Sequence, residues 1–261
     1  MPRGYTPKCK YISASAGISI DYIGAYKKYN HTFVKKMTGL REKPQIIYVA
    51  NDGPAARAGL MIGDEILSVD GITTERIANM HSNKDILAYH IQDVIASKSP
   101  MATVKFEIRR RDKAHTIPVK LERSCSARFI LKSDQNVRAF SDGKNIAFTT
   151  GIMRFTRNED ELALIAGHEL AHVIAGTPKR SGLFGRRVIE DKADLFGAEL
   201  AQCAGYDVVR GIKFWSRYHK YEVRKKLNFQ THRSAQSRED RLREAAPSLR
   251  CRKLLLENEN S

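Results

Sequence analysis

Asn158-Glu159-Asp160-Glu161-Leu162-Ala163-Leu164-Ile165-Ala166-Gly167-His168-Glu169-Leu170-Ala171-His172-Val173-Ile174-Ala175 is the stretch on which the reading of this chain turns. Asn158 stands as N-cap with Glu161 three residues on, a capping-box spacing. Gly176 and Pro178 close the run. Between them the apolar residues leave almost no polar face, so the helix is expected to be mostly buried. Two histidines and a glutamate inside such a helix are costly unless they pair with one another or with a metal. His168 and His172 are four apart, which puts both imidazoles on one face where a single zinc ion can reach them. Glu169, next to His168, can take a proton from a water that attacks a carbonyl.

The following stretch carries a second acidic pair. In Val188-Ile189-Glu190-Asp191-Lys192-Ala193-Asp194-Leu195-Phe196-Gly197, Glu190 and Asp194 are again four apart. A helix over 188–204, packed antiparallel on the first, would bring Glu190 in as third ligand and leave a fourth position open. Asp194, one turn on, suits a hydrogen bond to the far nitrogen of a ligand imidazole. Further helices are expected over 208–227 and 237–246. A basic, glycine-bearing loop is expected over 177–187. A hairpin is expected over 139–150, turning at Ser141-Asp142-Gly143-Lys144.

Upstream the pattern changes to short strands and turns. Gln45-Ile46-Ile47-Tyr48-Val49 is β-branched and stops at Asn51-Asp52-Gly53-Pro54. Ile66-Leu67-Ser68-Val69 runs into Asp70-Gly71, a tight-turn pair. A helix is expected over 84–96, then two alternating strands over 103–108 and 116–121.

Two resemblances arise from these residues. The run Gly53-Pro54-Ala55-Ala56-Arg57-Ala58-Gly59-Leu60, continuing through Gly63-Asp64-Glu65-Ile66-Leu67-Ser68-Val69-Asp70-Gly71, resembles the signature of bacterial PDZ domains. It implies capture of extended peptides, often C-termini, by strand addition at a sheet edge beside a helix. The carboxylate-binding loop would be Tyr22-Ile23-Gly24-Ala25 or Gly17-Ile18-Ser19-Ile20. The second half resembles the HtpX-like and CAAX-prenyl-protease-like zinc endopeptidases, the gluzincin group that includes BepA, LoiP and Oma. His168-Glu169-x-x-His172, Glu190-x-x-Ala193-Asp194 and Thr231-His232-Arg233-Ser234 with Arg238 carry that likeness in order. It implies that Ala139 and Phe140 lie on a strand pairing with substrate, that His232 stabilises the oxyanion and that Arg238 supports the site. Arg138 stands where such proteins usually have Asn, and Arg233 where they have Pro.

The expected architecture is therefore α+β. A tail over 1–11 precedes a PDZ-like β-rich domain over 12–123 and a mainly helical zincin domain over 124–261. The expected activity is zinc-dependent hydrolysis of unfolded or misfolded polypeptides, one zinc per chain. The alternative is a chaperone-like peptide-binding protein with a latent or structural zinc, its loop 177–187 covering the metal.

Composition narrows this further. The chain has 261 residues and a net charge of +16. Lys and Arg outnumber Asp and Glu by 20 to 12 up to residue 123 and by 25 to 17 beyond it. That even spread argues against a dedicated nucleic-acid arm, so no specific nucleic acid is expected. The resemblance leaves room for peripheral membrane association and implies the bacterial cell envelope or periplasm, although the N-terminus lacks a signal-peptide core. Cys9, Cys125, Cys203 and Cys251 form no metal or redox motif, and their pairing stays open.

Overall fold

The computed structural model describes residue 9 and residues 12–125, 127–175, 183–225 and 233–251. The chain divides into two compact units: one is Ile12–Ser124, and the other takes Cys125 onward together with Cys9. The architecture is α+β, a β-rich unit followed by a helical one.

The first unit comprises β1 (Ile12–Ser15), β2 (Ile18–Asp21), α1 (His31–Thr38), β3 (Gln45–Val49), α2 (Pro54–Ala58), β4 (Glu65–Val69), β5 (Ile72–Thr73), α3 (Thr74–Asn79), α4 (Leu87–Ala96), β6 (Thr103–Arg110), β7 (Lys113–Lys120) and β8 (Glu122–Cys125). Its main sheet runs β2-β3-β4-β6-β7, with β5 on β4, while β1 pairs with β8. Strand β6 shows why a sheet forms here. Val104, Phe106 and Ile108 point inward and are fully buried or nearly so, while Thr103, Lys105, Glu107 and Arg109 alternate outward. Against them pack Ile46, Ile66, Val69, Ile77 and Ile91. Asp70 and Gly71 both take positive φ, 53° and 76°, as the tight turn between β4 and β5 demands.

The signature aspartate has a structural task. Asp64 is buried and receives two hydrogen bonds from Arg110, Nε to Oδ1 and Nη2 to Oδ2, both at 2.6 Å. Of the two stretches read as carboxylate-binding loops, Gly17-Ile18-Ser19-Ile20 runs into β2, the edge strand. Tyr22 is buried and Ile23–Ala25 makes a 3₁₀ turn after that strand. Helix α4 lies along β2, with Gln92 Nε2 3.5 Å from Ile18 O.

The second unit comprises β9 (Arg128–Lys132), β10 (Ala139–Ser141), β11 (Asn145–Thr149), α5 (Thr150–Phe155), α6 (Glu159–Ala175), α7 (Leu183–Cys203), α8 (Val208–Lys225) and α9 (Ala235–Ala245). β11 is central, antiparallel to β10 and parallel to β9. The expected hairpin thus forms, but its last residue, Thr150, enters α5 because Thr149 Oγ1 accepts from Ile152 N at 3.2 Å and caps a helix there. Helix α6 packs on α7 and α8 around Leu164, Ile165, Val173, Ala198, Ile212 and Phe214.

The N-terminus of α6 is capped on both sides. Asn158 Oδ1 accepts from Glu161 N at 3.0 Å, and the Glu161 carboxylate reaches one residue further back than expected, to Arg157 N at 2.9 Å. Arg217 on α8 holds the same carboxylate. Helix α7 starts at Leu183, five residues before the expected boundary. Arg186 and Arg187 are strong helix formers and carry the helix through Gly185; residues 177–182 of the expected loop lie outside the described residues. The cysteines pair as Cys9–Cys125 and Cys203–Cys251.

Candidate metal centre and cleft

The site is built where α6 and α7 cross. An added Cβ on Gly167 would stand 2.2 Å from Gly197 O, and one on Gly197 would stand 2.4 Å from His168 N. Only two facing glycines permit that approach. It brings the face of α6 bearing His168 and His172 directly against the face of α7 bearing Glu190 and Asp194.

Three ligand-type atoms converge as a result. His168 Nε2 and His172 Nε2 are 3.2 Å apart. Glu190 Oε2 is 3.3 Å from the first and 3.2 Å from the second. Zinc binds nitrogen and oxygen at about 2.0–2.1 Å in a tetrahedron, which sets its ligands about 3.3–3.4 Å apart. The triangle therefore fits a zinc ion without rearrangement, and three protein ligands leave a fourth position for water or substrate. Among the described residues, His168, His172 and Glu190 are the group that could hold a metal ion.

Behind the triangle lies a buried support. Asp194 Oδ1 is 2.9 Å from His168 Nδ1. Arg238 on α9 donates from Nε to Asp194 Oδ2 at 2.8 Å and from Nη2 to Oδ1, and its guanidinium stacks 3.7 Å above the Trp215 ring. Burial alone would raise the Asp194 carboxyl; Arg238 and His168 overcome it and hold the group well below the usual carboxylate range. For His168, burial and Arg238 push downward, while Asp194 and Glu190 outweigh them and lift the imidazole to about 9. A cation held by Nε2 would take the place of that proton.

A cleft of about 450 Å³ opens beside the triangle. Glu169, buried, lines it together with the three ligand-type residues, Arg138, Ala139, Phe140 and Arg238. β10 forms one edge of its three-stranded sheet, so Ala139 and Phe140 sit on an edge strand at the cleft wall. His232 lies outside the described residues. Its neighbour Arg233 lines the cleft and holds Asp191 bidentately, Nε to Oδ1 at 2.7 Å and Nη2 to Oδ2 at 2.9 Å. Arg233 thus adds a tie to α7 one residue from Glu190.

Sequence reading missed the far wall. Phe214, Trp215, Tyr218 and Glu222 on α8 line the cleft. Tyr218 stacks on Phe214 with ring centroids 5.3 Å apart, and burial together with nearby Glu222 pushes its phenol up to about 12, keeping it a neutral donor. The sole tryptophan three residues before a tyrosine on an amphipathic helix was the available signal, and such a stripe ordinarily marks core.

Two family models match parts of the chain. A family model described as PDZ domain matches residues 34–121, and one described as Peptidase family M48 matches residues 111–183, ending before Glu190. No curated protein matches the chain. Similar solved structures include the HtrA-type protease AlgW with decapeptide, 20% identical, covering 43% of this chain and 30% of that one at a TM-score of 0.31. A serine endoprotease from Yersinia pestis is 19% identical over 43% of this chain and 30% of its own, with a TM-score of 0.29. The HtrA3 PDZ domain bound to a phage-derived ligand is 18% identical, covering 44% of this chain and 90% of that one, with a TM-score of 0.31. The chain thus spans less than a third of the first two. The chain is thus similar over residues 34–121 to PDZ domains and over residues 111–183 to peptidase family M48.

Proposed function

We propose that this protein is a zinc-dependent endopeptidase acting on unfolded or extended polypeptides, with the PDZ domain capturing segments or C-termini. The observation that carries the proposal is the convergence of His168, His172 and Glu190 to mutual distances of 3.2–3.3 Å at the wall of an open cleft. When bound there, zinc supplies Lewis acidity, polarising a carbonyl and lowering the pKa of water to about 7. Glu169, adjacent to His168, takes the proton of the attacking water and passes it to the leaving amine. Asp194 and Arg238 hold the His168 ring by its Nδ1 side, so Nε2 faces the cation. Ala139 and Phe140 offer an edge strand for substrate backbone. His232 is assigned as oxyanion donor on the resemblance, with Tyr218 a further neutral hydroxyl in the same cleft.

A site in the bacterial cell envelope or periplasm, with peripheral attachment to its membrane, completes the proposal. Two disulfides in one chain suit an oxidising compartment.

The test is digestion of unfolded casein by the full chain, with and without chelator, beside Glu169→Gln. Cleavage that stops with chelator and returns with zinc is expected, at least about 1,000-fold slower in Glu169→Gln. Full activity in that variant removes the assigned base. One equivalent of zinc bound with no cleavage of any unfolded substrate favours a chaperone-like protein with a latent metal instead.

A further inference from the structure

We propose that residues 26–43 form a docking surface for an anionic lipid bilayer. This deepens the peripheral-membrane part of the function above and does not depend on the hydrolase part.

The segment reads Tyr26-Lys27-Lys28-Tyr29-Asn30-His31-Thr32-Phe33-Val34-Lys35-Lys36-Met37-Thr38-Gly39-Leu40-Arg41-Glu42-Lys43. Helix α1 within it has no buried residue. Tyr29 is 84% exposed, Phe33 68% and Met37 66%. Their spacing of four places them on one side of the helix and of the 3₁₀ turn before it, so they make a single apolar ridge. Isolated exposed apolar side chains are ordinary on protein surfaces, but three large ones in register on a helix with no buried face are not.

The charge around the ridge names the occupant. Six basic residues, Lys27, Lys28, Lys35, Lys36, Arg41 and Lys43, stand against one acid, Glu42, so the segment carries +5 of the chain's +16. All six basic residues are exposed. Glu42 is engaged by Lys35, and Lys43 pairs with Glu75 outside the segment, which leaves the patch positive through Lys27, Lys28, Lys36 and Arg41. Lysines flanking an apolar ridge match a bilayer in two ways: rings and thioether enter the boundary between headgroups and acyl chains, while ammonium groups remain among anionic phosphates. The device holding the ridge in place is local: His31 Nε2 lies 2.9 Å from Tyr26 O, and Gly39 at φ 71° ends the helix.

The experiment is sedimentation of the full chain, with chelator present, with phosphatidylcholine vesicles and with vesicles that are roughly one-third phosphatidylglycerol. Binding to the second and not the first is expected, weakening as salt rises. The exposed-residue variant Tyr29→Ser/Phe33→Ser/Met37→Ser should lower the bound fraction at least about 10-fold, and Lys27→Glu/Lys28→Glu/Lys36→Glu should do the same. Phe33→Ser alone should give an intermediate loss. Unaltered circular dichroism and thermal unfolding check that the variants stay folded. Absence of binding to anionic vesicles, or equal binding by the triple-serine variant, overturns the proposal. So does a dimer of the parent chain that the triple-serine variant converts to monomer, since the ridge then belongs to a second copy. No metal or peptide enters this measurement, so a failed vesicle assay and a failed protease assay are separate results.

Discussion

Replacing Gly197 with alanine sets two physical arguments against each other. Helix propensity alone favours the change, because glycine inside a helix is worse than alanine by about 0.5–1 kcal/mol. Packing opposes it. The new Cβ would stand 2.4 Å from His168 N, 2.6 Å from Gly167 C and 2.7 Å from His168 Cα, all atoms of helix backbone that no rotamer change can move aside. Restoring ordinary contact requires α6 and α7 to part by about 1 Å. Overpacking of that kind costs about 1–3 kcal/mol, so the net change should be destabilising. The metal site is the sharper reporter. Glu190 rides on α7 and the two histidines on α6, so a shift of that size carries the carboxylate well outside the roughly 0.2 Å tolerance of a zinc ligand. Zinc affinity should fall at least about 10-fold, equivalent to 1.4 kcal/mol. Competition with a fluorescent chelator measures the affinity, and thermal unfolding in excess chelator measures the stability without metal linkage. Gly211→Ala provides the control: its Cβ would stand 2.7 Å from Asp160 O, where α8 meets the start of α6, two turns from His168. It should destabilise while leaving zinc affinity within about 2-fold. If Gly197→Ala raises the melting temperature and binds zinc normally, the claim that close helix approach creates the site is wrong.

Three other outcomes follow from the same packing. Asp194→Asn should lower zinc affinity about 10–100-fold, because the amide cannot hold both His168 Nδ1 and Arg238 as the carboxylate does; unchanged chelator competition would refute the supporting role. Arg110→Met leaves the Asp64 carboxylate buried without its partner and should cost about 3 kcal/mol in the unfolding of the PDZ unit, read by urea titration with zinc binding unchanged. Asp160 is pushed up by burial but held below its ordinary value by the Asp207 N–H and Arg210, so its contribution to stability is complete above about pH 4 and is lost on acidification through the lower folded value. Asp160→Asn should therefore flatten the fall of melting temperature on acidification below about pH 4; an acid limb as steep as the parent's would count against that account.

Much of this molecule is local in origin, and local features were legible. The capped, apolar run from Asn158 defines α6, and alternation in β6 defines a half-buried strand. Asp70-Gly71 defines a tight turn because so few residues accept positive φ. The spacing of His168 and His172 and of Glu190 and Asp194 follows from the pitch of one helix at a time. Where competing local signals were close, boundaries moved: Thr149 both ends β11 and caps α5, and Arg186 with Arg187 extended α7 through a glycine.

The rest depends on which surfaces meet. Gly167 and Gly197 are unremarkable in the chain, and nothing local says that they oppose each other and set the distance between two imidazoles and a carboxylate. Arg238 lies 44 residues from Asp194, yet it fixes that carboxylate because α9 brings it over Trp215. The pairing of Cys9 with Cys125 and of Cys203 with Cys251 is likewise a matter of chain ends returning. Exposure is decided the same way. The ridge of Tyr29, Phe33 and Met37 has the spacing of a core-facing stripe, and only the folded unit shows that no core covers it. Residue types and their periodicity determine which chemistry this chain can carry; the distances at which that chemistry operates arise from packing between elements remote in sequence, which no local pattern encodes.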